Sequence, residues 1–387
     1  MKTIMVTIMP GEPVHGVWKN FLKKPPAGFR YVNAVNEPIT FDHVQKPSKI
    51  FSLLYGIKRR IPFVHHMHRM RTEEKFSAMM DTHDPDLIYC TNGRVYLGKK
   101  PWVVDLETPS VFFGYNFKTM TKYKDDIKKI LLRSNCKAIL PYSRVGKEGM
   151  IGLFGKTIAK KITICRNAVL PPKTVAKKKH KDFTMLFTGS SNIADNFYSR
   201  GGKEMVHAFL ALAEKYTDVK LVLRCSVPKR ERQLLKGKNV IIHEGLLDRE
   251  TFEGLFTKSD VYLFPAYIGY GLTVYEAMSW GLPIVTADIM ENGEPITNGV
   301  NGFKVRPPHI DFWLPGQPDY YFTGRTDRTL DVAYVERLVA KLEYLYVHPK
   351  KRARMGRANR QKARKLYSLT AKNKVLKKVF TAALRAT

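Results

Sequence analysis

The chain has 387 residues, of which 44% are hydrophobic, and its 66 Lys and Arg against 34 Asp and Glu give a net charge of +32. This length favours two domains, because a single core rarely grows beyond roughly 250–300 residues. The apolar fraction is that of an ordinary globular protein, which excludes disordered, collagen-like and disulfide-stapled classes. No apolar run reaches about 18 residues, so no transmembrane helix is predicted.

The four cysteines stand far apart in the sequence and form no CxxC pair. They therefore indicate neither a zinc knuckle nor a disulfide framework, and we expect a cytoplasmic protein. The first residues, up to Pro13, read as a strand and not as a signal peptide, since no small-residue cleavage site follows the short apolar run.

Short β-rich runs alternate with helical patterns through the first half of the chain, which predicts βα units and a parallel sheet. The predicted strands of this half are Thr3–Met9, Tyr31–Val35, Leu87–Cys90, Trp102–Leu106, Ala138–Leu140 and Ile162–Ile164. A Pro- and Lys-rich stretch without periodicity then predicts a linker near Pro171.

The same alternation restarts after the linker and predicts a second doubly wound domain facing the first. Its predicted strands are Phe183–Thr188, Val219–Arg224, Asn239–His243, Asp260–Pro265 and Pro283–Ala287. Helical patterns fall between them, for example Glu204–Tyr216 and Glu250–Lys258. From Tyr334 onward the composition favours helix alone.

Three basic clusters account for much of the charge. From Lys350 to Thr387 the chain has fourteen Lys and Arg and no acid, a second cluster spans Lys173–Lys181, and a third, Ile57–Arg71, mixes basic with apolar residues. Solvated helix faces explain part of this charge. The remainder suits lipid headgroups, nucleic acid or a phosphorylated substrate.

Ligands of open α/β sheets bind beyond the carboxyl ends of the strands, so the residues that follow each strand are the candidates for a site. Gly189 follows the strand Phe183–Thr188, and Arg200-Gly201 stands at the start of the next helix. A glycine-led loop, a helix N-terminus and a guanidinium are together suited to a phosphate.

A second loop of this kind follows the strand Asp260–Pro265. Gly269 and Gly271 open a helix whose first turn contains Leu272 and Thr273, and Glu276 comes one turn later. Backbone N–H groups at such a helix start suit a diphosphate, while a carboxylate there suits the diol of a ribose. An isolated glutamate would more often be a solvated residue of an amphipathic helix. The combined spacing of the two glycines and the glutamate is less common and favours a functional site.

These motifs resemble the C-terminal domain of glycosyltransferase family 4, the group 1 glycosyltransferases, whose members are retaining enzymes of the GT-B architecture. The resemblance covers Phe187 to Val305, about a third of the chain. The residues aligned with the family motifs are Gly189, Arg200-Gly201, His243, Gly245, Asp260, Pro265, Ile268 to Leu272, Glu276-Ala277, Gly281 to Pro283, Glu294, Gly299 and Asn301 to Phe303.

The resemblance implies two Rossmann-like doubly wound domains that face each other across a cleft. Residues 1–172 would bind the acceptor and residues 182–349 the nucleotide-sugar, while the basic helices of 350–387 would return to the N-terminal domain. It also implies a nucleotide-diphosphate sugar as donor substrate, with no cofactor and no metal.

Carried over residue by residue, the resemblance assigns Arg200 to the donor diphosphate and to catalysis. Gly271 and Leu272 would offer it backbone N–H groups, and Glu276 would hold the ribose and count as the second catalytic residue. The other residues assigned to donor binding are Gly11, Gly16, Gly189, Gly269, Tyr270 and Thr273. Gly11 and Gly16 resemble the glycine-rich loop that approaches the donor from the N-terminal domain.

Two residues depart from the family pattern. Ile268 stands where the family has the first glutamate of a glutamate pair, which lies near the donor sugar, and Ser190 replaces an arginine that often follows the loop glycine. The first departure bears on the orientation of the sugar and on activity itself.

Glu107 is the candidate for a third catalytic residue, because family members often place a histidine at this point after the strand Trp102–Leu106. Asp105 is a second acid nearby. The histidines His65, His66 and His68 are interpreted as residues of the basic surface and not as a metal cluster, since no carboxylate is spaced to join them.

Two classes of function stay open at this point. An enzyme is favoured by Glu276, Arg200 and the glycine loops, whereas a non-catalytic nucleic-acid-binding relative is favoured by Ile268. For the enzyme, the acceptor is either a lipid-linked or surface glycan, which would add peripheral association with the cytoplasmic membrane face, or a modified base in DNA.

Overall fold

The structure, a computed structural model, describes residues 1–8, 16–39, 60–172, 181–189, 196–269, 271–308 and 330–385. The described residues form two compact units. The N-terminal unit contains the residues up to Ala168 and those from Leu369 onward, and the C-terminal unit contains the residues from Val169 to Ser368.

The N-terminal unit is built on a five-stranded sheet in which every pairing is parallel, with the strand order β2-β1-β3-β4-β5. Its strands are β1 Lys2–Val6, β2 Phe29–Val32, β3 Leu87–Cys90, β4 Trp102–Leu106 and β5 Cys136–Pro141. Its helices are α1 Gly16–Leu22, α2 Pro62–Asp81, α3 Phe117–Leu132 and α4 Arg144–Phe154. The strand order reverses between β1 and β3, which is where such a sheet binds its ligand.

The two faces of this sheet carry separate apolar cores. One core joins Ile88 and Val104 to the residues of α2, α3 and α4, among them Met80 and Ile127. The other joins Val6 and Tyr89 to α1 and to the C-terminal helix. Because successive side chains of a strand point to opposite faces, each strand contributes to both cores.

The C-terminal unit is built on a six-stranded parallel sheet with the order β11-β10-β9-β6-β7-β8. Its strands are β6 Phe183–Thr188, β7 Val219–Arg224, β8 Val240–His243, β9 Val261–Phe264, β10 Ile284–Ala287 and β11 Gly302–Val305. The helices between them are α5 Asn196–Ser199, α6 Gly202–Lys215, α7 Lys229–Leu234, α8 Arg249–Thr257, α9 Leu272–Ser279 and α10 Met290–Gly293. Here the order reverses between β6 and β9.

The predicted strands are present with one exception. The predicted strand Ile162–Ile164 is wrong, because only an isolated bridge between Ile139 and Ile162 forms there. The preceding residues Lys156–Lys161 form a 3₁₀ helix instead. The chain therefore reaches the edge strand β5 for a single bridge before it leaves the sheet.

Three helices complete the chain, α11 Val332–Val347, α12 Pro349–Leu366 and α13 Leu369–Arg385. The segment 350–387, predicted to return as a whole to the N-terminal domain, divides between the units. Asn359 of α12 donates hydrogen bonds to the carbonyls of Leu282 and Asn301, at 2.7 and 2.6 Å, which holds α12 in the C-terminal unit. The ring of Phe380 in α13 lies 5.4 Å from that of Phe29 in the N-terminal core.

Candidate active site

The two loops at the reversal point of the second sheet lie against each other. The backbone N–H of Tyr267 donates to the carbonyl of Ser199 at 2.9 Å, which ties the loop after β9 to the segment before α6. Gly201 directly precedes α6 with φ +76°, and a Cβ at this position would collide with the backbone carbonyl of Pro265. A side chain at position 201 would therefore separate the loops.

Arg200 and Gly271, predicted from different motifs, lie on the same aromatic ring. The guanidinium of Arg200 is 5.5 Å from the ring centroid of Phe264, the last residue of β9. A Cβ on Gly271 would lie 2.7 Å from an edge carbon of that ring. The structure thus brings Arg200, the residue predicted to bind phosphate, and the start of α9 together at the end of one strand.

The start of α9 is anchored on both sides. The N–H of Gly271 donates to Asn292 Oδ1 at 3.2 Å, so this amide is engaged and its predicted contact with a diphosphate requires the Asn292 side chain to turn away. The hydroxyl of Thr273 lies 2.6 Å from that of Tyr262, which in turn is 2.7 Å from the hydroxyl of Thr188. These side-chain contacts fix α9 to β6 and β9.

Glu276 lies one turn into α9 and is partly buried. Burial raises the pKa of its carboxyl to about 7, although the positive charges of Arg249 and Arg224 act in the opposite direction. A raised pKa from burial beside a charged partner is a frequent property of functional carboxylates. Near neutral pH this group takes or loses a proton with small changes in its surroundings.

Arg224 and Arg249, which were not predicted from the sequence, lie close enough to Glu276 to act on its carboxyl. Arg224 is the last residue of β7, and its guanidinium donates to the carbonyl of Gly189 at 3.5 Å. Arg249 begins α8 and forms an ion pair with Glu253 at 2.5 Å. The rule that ligands bind beyond the strand ends would have found Arg224, whereas no sequence signal places Arg249 beside Glu276.

Residues of α10 also contact the loop after β9 and hold it in place. Asn292 donates to the carbonyl of Ile268 at 2.9 Å, and a Cβ on Gly269 would collide with the carboxylate of Glu291. Glu291 is 2% exposed, and its neighbour Met290 has the unusual φ of +46° for a residue other than glycine. Gly269 is therefore required for packing against a carboxylate that the motif analysis did not identify.

Two acids lie at the carboxyl end of β4 in the N-terminal unit. Asp105 is fully buried and accepts hydrogen bonds from the hydroxyl of Tyr89 at 2.7 Å, the N–H of Asn92 at 2.8 Å and the indole of Trp18 at 3.3 Å. Burial raises the pKa of its carboxyl despite these donors and the positive charge of Lys372. Asp105 thus holds α1 on the sheet through Trp18.

Glu107, the predicted catalytic residue, is less buried than Asp105 and accepts a 2.5 Å hydrogen bond from the hydroxyl of Tyr115. Tyr115 has φ +60°, in the left-handed region that non-glycine residues rarely occupy, and it follows Gly114 with φ +57°. Strained residues of this kind persist only where surrounding contacts require them, and they concentrate at functional sites.

The other predicted donor residues divide in two groups. Gly16 begins α1, two residues before Trp18, and Leu272 begins α9. Gly11 and Tyr270, like Ser190 among the departures, lie outside the described residues. The roles given to these residues in donor binding stay predictions.

The interpretation of the histidines as surface residues is wrong for His65 and His66, which are 0% and 7% exposed. His65 Nδ1 lies 3.2 Å from the hydroxyl of Thr119. The His66 ring stacks on Tyr123 at 4.2 Å, and its Nε2 lies 3.2 Å from the carboxylate of Asp126. The cause is the packing of α2 on α3, which turns this side of α2 inward.

The segment that contains both loops and Glu276 also matches a known protein family. Residues 173–312 match the family model of the group 1 glycosyltransferases. The chain carries a group 1 glycosyltransferase domain. A search of curated proteins finds no match.

Solved structures agree on the fold. Sucrose-phosphate synthase from Thermosynechococcus elongatus matches with a TM-score of 0.64 and 13% identity, over 100% of both chains. Anabaena HepE, solved in complex with UDP, matches with a TM-score of 0.63 and 13% identity, over 98% of this chain and all of that one. The predicted GT-B architecture, with two Rossmann-like units, is therefore confirmed.

One similar structure is considerably longer. Staphylococcus aureus TarM, solved with fondaparinux, alpha-GlcNAc-glycerol and UDP, matches with a TM-score of 0.55 and 13% identity over 76% of this chain. This chain spans only 55% of the length of TarM.

Among the described residues, no helix is both long and apolar enough to cross a membrane.

Proposed function

We propose that this protein is a retaining glycosyltransferase that transfers a sugar from a nucleotide-diphosphate sugar to an acceptor without a metal. The observation that carries the proposal is that Arg200 and Gly271 lie on the ring of Phe264 at the reversal point of the second sheet, with Glu276 in the helix that follows Gly271. HepE and TarM, similar structures that were solved with UDP, support a nucleoside diphosphate as the ligand.

Departure of the sugar leaves negative charge on the diphosphate, and two groups of this site are suited to stabilise it. The guanidinium of Arg200 supplies a full positive charge, and α9 supplies the positive end of its dipole and the N–H groups of its first turn. The N–H of Gly271 joins these donors once the Asn292 side chain has turned away from it, so any reorganisation accompanies donor binding and not the breaking of the bond. In this proposal these groups replace the divalent cation that other transferases use.

Glu276 accepts hydrogen bonds from the ribose hydroxyls in this proposal. Hydroxyls donate to a carboxylate more strongly than to a carboxylic acid, so donor binding favours loss of the proton. The pKa of about 7 makes this coupling measurable near neutral pH.

Glu107 is the acid of the N-terminal unit that we assign to the sugar side of the reaction. The Tyr115 hydroxyl orients its carboxylate. Retention is proposed to follow from attack by the acceptor on the same face that the diphosphate leaves, with no covalent intermediate on the enzyme. Glu107 would then stabilise positive charge on the sugar as the bond breaks.

The acceptor we propose is a lipid-linked or surface glycan at the cytoplasmic face of a membrane. The support comes from the N-terminal unit, in which exposed apolar side chains at the start of α2 lie among basic residues. An acceptor with a lipid anchor would require such a surface.

A second candidate, glycosylation of a modified base in DNA, is favoured by one surface of α12. Its exposed basic residues lie on one side of the helix and are Lys350, Lys351, Arg354, Arg357, Arg364 and Lys365. Like charges three or four residues apart repel each other, and an anionic polymer relieves that repulsion. Large exposed apolar side chains are absent from the described residues of α12.

Donor binding and donor use together test the proposed function. We expect transfer or slow hydrolysis with one member of a panel of nucleotide-diphosphate sugars. Arg200→Ala should weaken binding of a nucleoside diphosphate by about tenfold or more while leaving the nucleoside almost unaffected, since a charge-assisted hydrogen bond contributes about 1.5–3 kcal/mol. Arg230→Ala, an exposed arginine of α7, is the matched control.

Equal reductions in affinity for the diphosphate and the nucleoside would assign Arg200 a structural role. Absence of donor hydrolysis together with tight binding of duplex DNA would favour the non-catalytic alternative. For the DNA acceptor, neutralising Arg354 and Arg357 should reduce the salt slope of DNA binding by about 0.9 for each phosphate group that the variant no longer binds.

A further inference from the structure

The first turns of α2 expose an unusual set of apolar side chains. Ile61, directly before the helix, is 53% exposed and Phe63 is 57% exposed, while Val64 and Met67 are exposed by more than a third. Single exposed apolar residues are common on protein surfaces, but contiguous apolar patches mark interaction sites. These four residues are called the α2 tip below.

The α2 tip lies at the same edge of the first sheet as Glu107. The helix leads through a short connection into the amino end of β3, so it runs antiparallel to the strands and begins at their carboxyl edge. The guanidinium of Arg69 confirms this position, because it donates to the carbonyls of Phe112 and Val111 at 3.1 and 3.2 Å. Those carbonyls belong to the segment that follows the carboxyl end of β4.

Positive charge surrounds the tip. Arg60 and Arg71 are exposed on either side of it, and the sequence has no acidic residue between them. The first acids of α2 are Glu73 and Glu74, beyond the exposed apolar residues. Apolar and cationic side chains on one short surface are the combination that binds the interface of an anionic bilayer.

The other basic surface of this unit has a different character. Helix α13 exposes Lys374, Lys377, Lys378 and Arg385, and its large apolar side chains are buried in the core that it shares with α1. Helix α2 packs on the opposite face of the sheet. The α13 surface exposes charge without large apolar side chains, so of these two described surfaces the α2 tip is the one with side chains that can enter the acyl region.

We propose that the α2 tip docks the protein on an anionic lipid bilayer. Phe63 and Met67 enter the interface, and Arg60 and Arg71 contact the headgroup phosphates. Docking in this way brings the carboxyl edge of the first sheet, with Glu107, to an acceptor held in the bilayer. The identity of the acceptor in this proposal rests on the proposed function. Vesicle binding by the α2 tip does not, because it is measured without catalysis.

The test compares two substitutions of exposed apolar residues in the same unit. The double variant Phe63→Ser with Met67→Ser removes the tip, whereas Leu132→Ser changes a residue that is 39% exposed at the far end of α3. Sedimentation with vesicles of phosphatidylglycerol and phosphatidylcholine should show about a tenfold loss of affinity for the double variant, since each buried side chain contributes through its apolar area. Leu132→Ser should change binding by less than about twofold.

Folding is followed by circular dichroism, and Phe63→Ser alone serves as the second variant if the double variant unfolds. Wild-type protein that ignores the vesicles at low salt would overturn the proposal. So would an equal loss of affinity in Leu132→Ser, or a larger loss from Lys377→Gln with Lys378→Gln than from the tip variant. An equal loss of duplex DNA binding in the tip variant would assign the surface to nucleic acid.

UDP affinity separates this proposal from the proposed function. The tip variant should bind UDP like the wild type, because Phe63 and Met67 lie in the unit that does not contain Arg200 or Glu276. Vesicle binding by a protein that binds no nucleoside diphosphate would retain the docking surface and remove the proposed reaction. UDP binding without vesicle binding would do the reverse.

Discussion

At the carboxyl edge of the second sheet, glycines pack directly on neighbouring elements, whereas the acids at the carboxyl edge of the first sheet are held by hydrogen bonds to their side chains. In the second sheet, Gly201 and Gly271 pack directly on neighbouring main chain and ring atoms, and Arg200 stands beside them. In the first sheet, Asp105 is surrounded by hydroxyl, amide and indole donors, and Glu107 is held by a phenol. Backbone N–H groups suit phosphate oxygens, while carboxylates suit hydroxyl groups.

This difference explains why residues of the second sheet's edge could be predicted from sequence motifs, whereas most of those at the first sheet's edge could not. A backbone surface requires glycine at particular positions, and the spacing of those glycines forms a motif. A surface made of side chains depends on which residues the fold brings together, so its members are scattered along the chain. Trp18, Tyr89 and Asp105 meet at one point although none of them belongs to a motif.

The largest expected effect comes from the backbone edge. Gly201→Ala should destabilise the protein by about 2–5 kcal/mol, because the left-handed conformation costs about 1–2 kcal/mol and overpacking adds about 1–3 kcal/mol. Gly237→Ala is the matched control, since Gly237 has φ +73° but no atom within 4 Å of a Cβ. Urea unfolding of both variants measures the difference, and equal destabilisation would show that the packing against Pro265 is unimportant.

Glu276→Gln should have the next largest effect, on donor binding. Loss of the charge-assisted hydrogen bonds to a diol is expected to weaken UDP binding by about 1.5–3 kcal/mol, roughly ten- to 150-fold. Calorimetric titration measures the affinity, and thermal unfolding checks that the variant is folded. Unchanged affinity in a folded variant would remove Glu276 from the site.

A smaller effect is expected at the side-chain edge. Tyr115→Phe removes the hydroxyl that donates to Glu107 and should lower the transfer rate by roughly fivefold, equivalent to about 1 kcal/mol. UDP affinity should stay the same, because Tyr115 is in the other unit. A change in UDP affinity with an unchanged transfer rate would reverse the roles given to the two edges.

The fold was largely predictable from the sequence because parallel strands buried on both faces read as short apolar runs. Leu87–Cys90, Trp102–Leu106 and Phe183–Thr188 are predicted and observed with the same bounds. Ile162–Ile164 has the same apolar, β-branched character but forms only one bridge. Propensity alone does not report whether a neighbouring strand offers a free edge over its whole length.

The candidate site was predictable where chemistry depends on spacing along one segment. Gly269, Gly271 and Glu276 fall within one loop and helix, so their proximity follows from local structure. Arg249 and Asn292 reach the same region from other elements, and only the packing of the second sheet brings them there. The burial of His65 likewise depends on α3 and could not be read from the basic residues around it.

The most direct test of whether Glu276 binds the donor as a carboxylate is proton release when UDP binds. With a pKa of about 7, a substantial share of the Glu276 carboxyls carry a proton below about pH 7. A ribose diol donates to the ionised form, so binding lowers the pKa and releases that proton, and affinity should rise as the pH increases from about 6 to about 8. Calorimetry in two buffers with different ionisation enthalpies counts the protons.

We expect the wild type to release more protons than Glu276→Gln, in which only the titration of the UDP phosphate and of other groups remains. The difference between the two proteins should be largest near pH 6 and should vanish above about pH 8, where Glu276 is already ionised. Equal proton release by the two proteins across this range, with UDP bound tightly by both, would contradict the central claim that Glu276 binds the donor as a carboxylate.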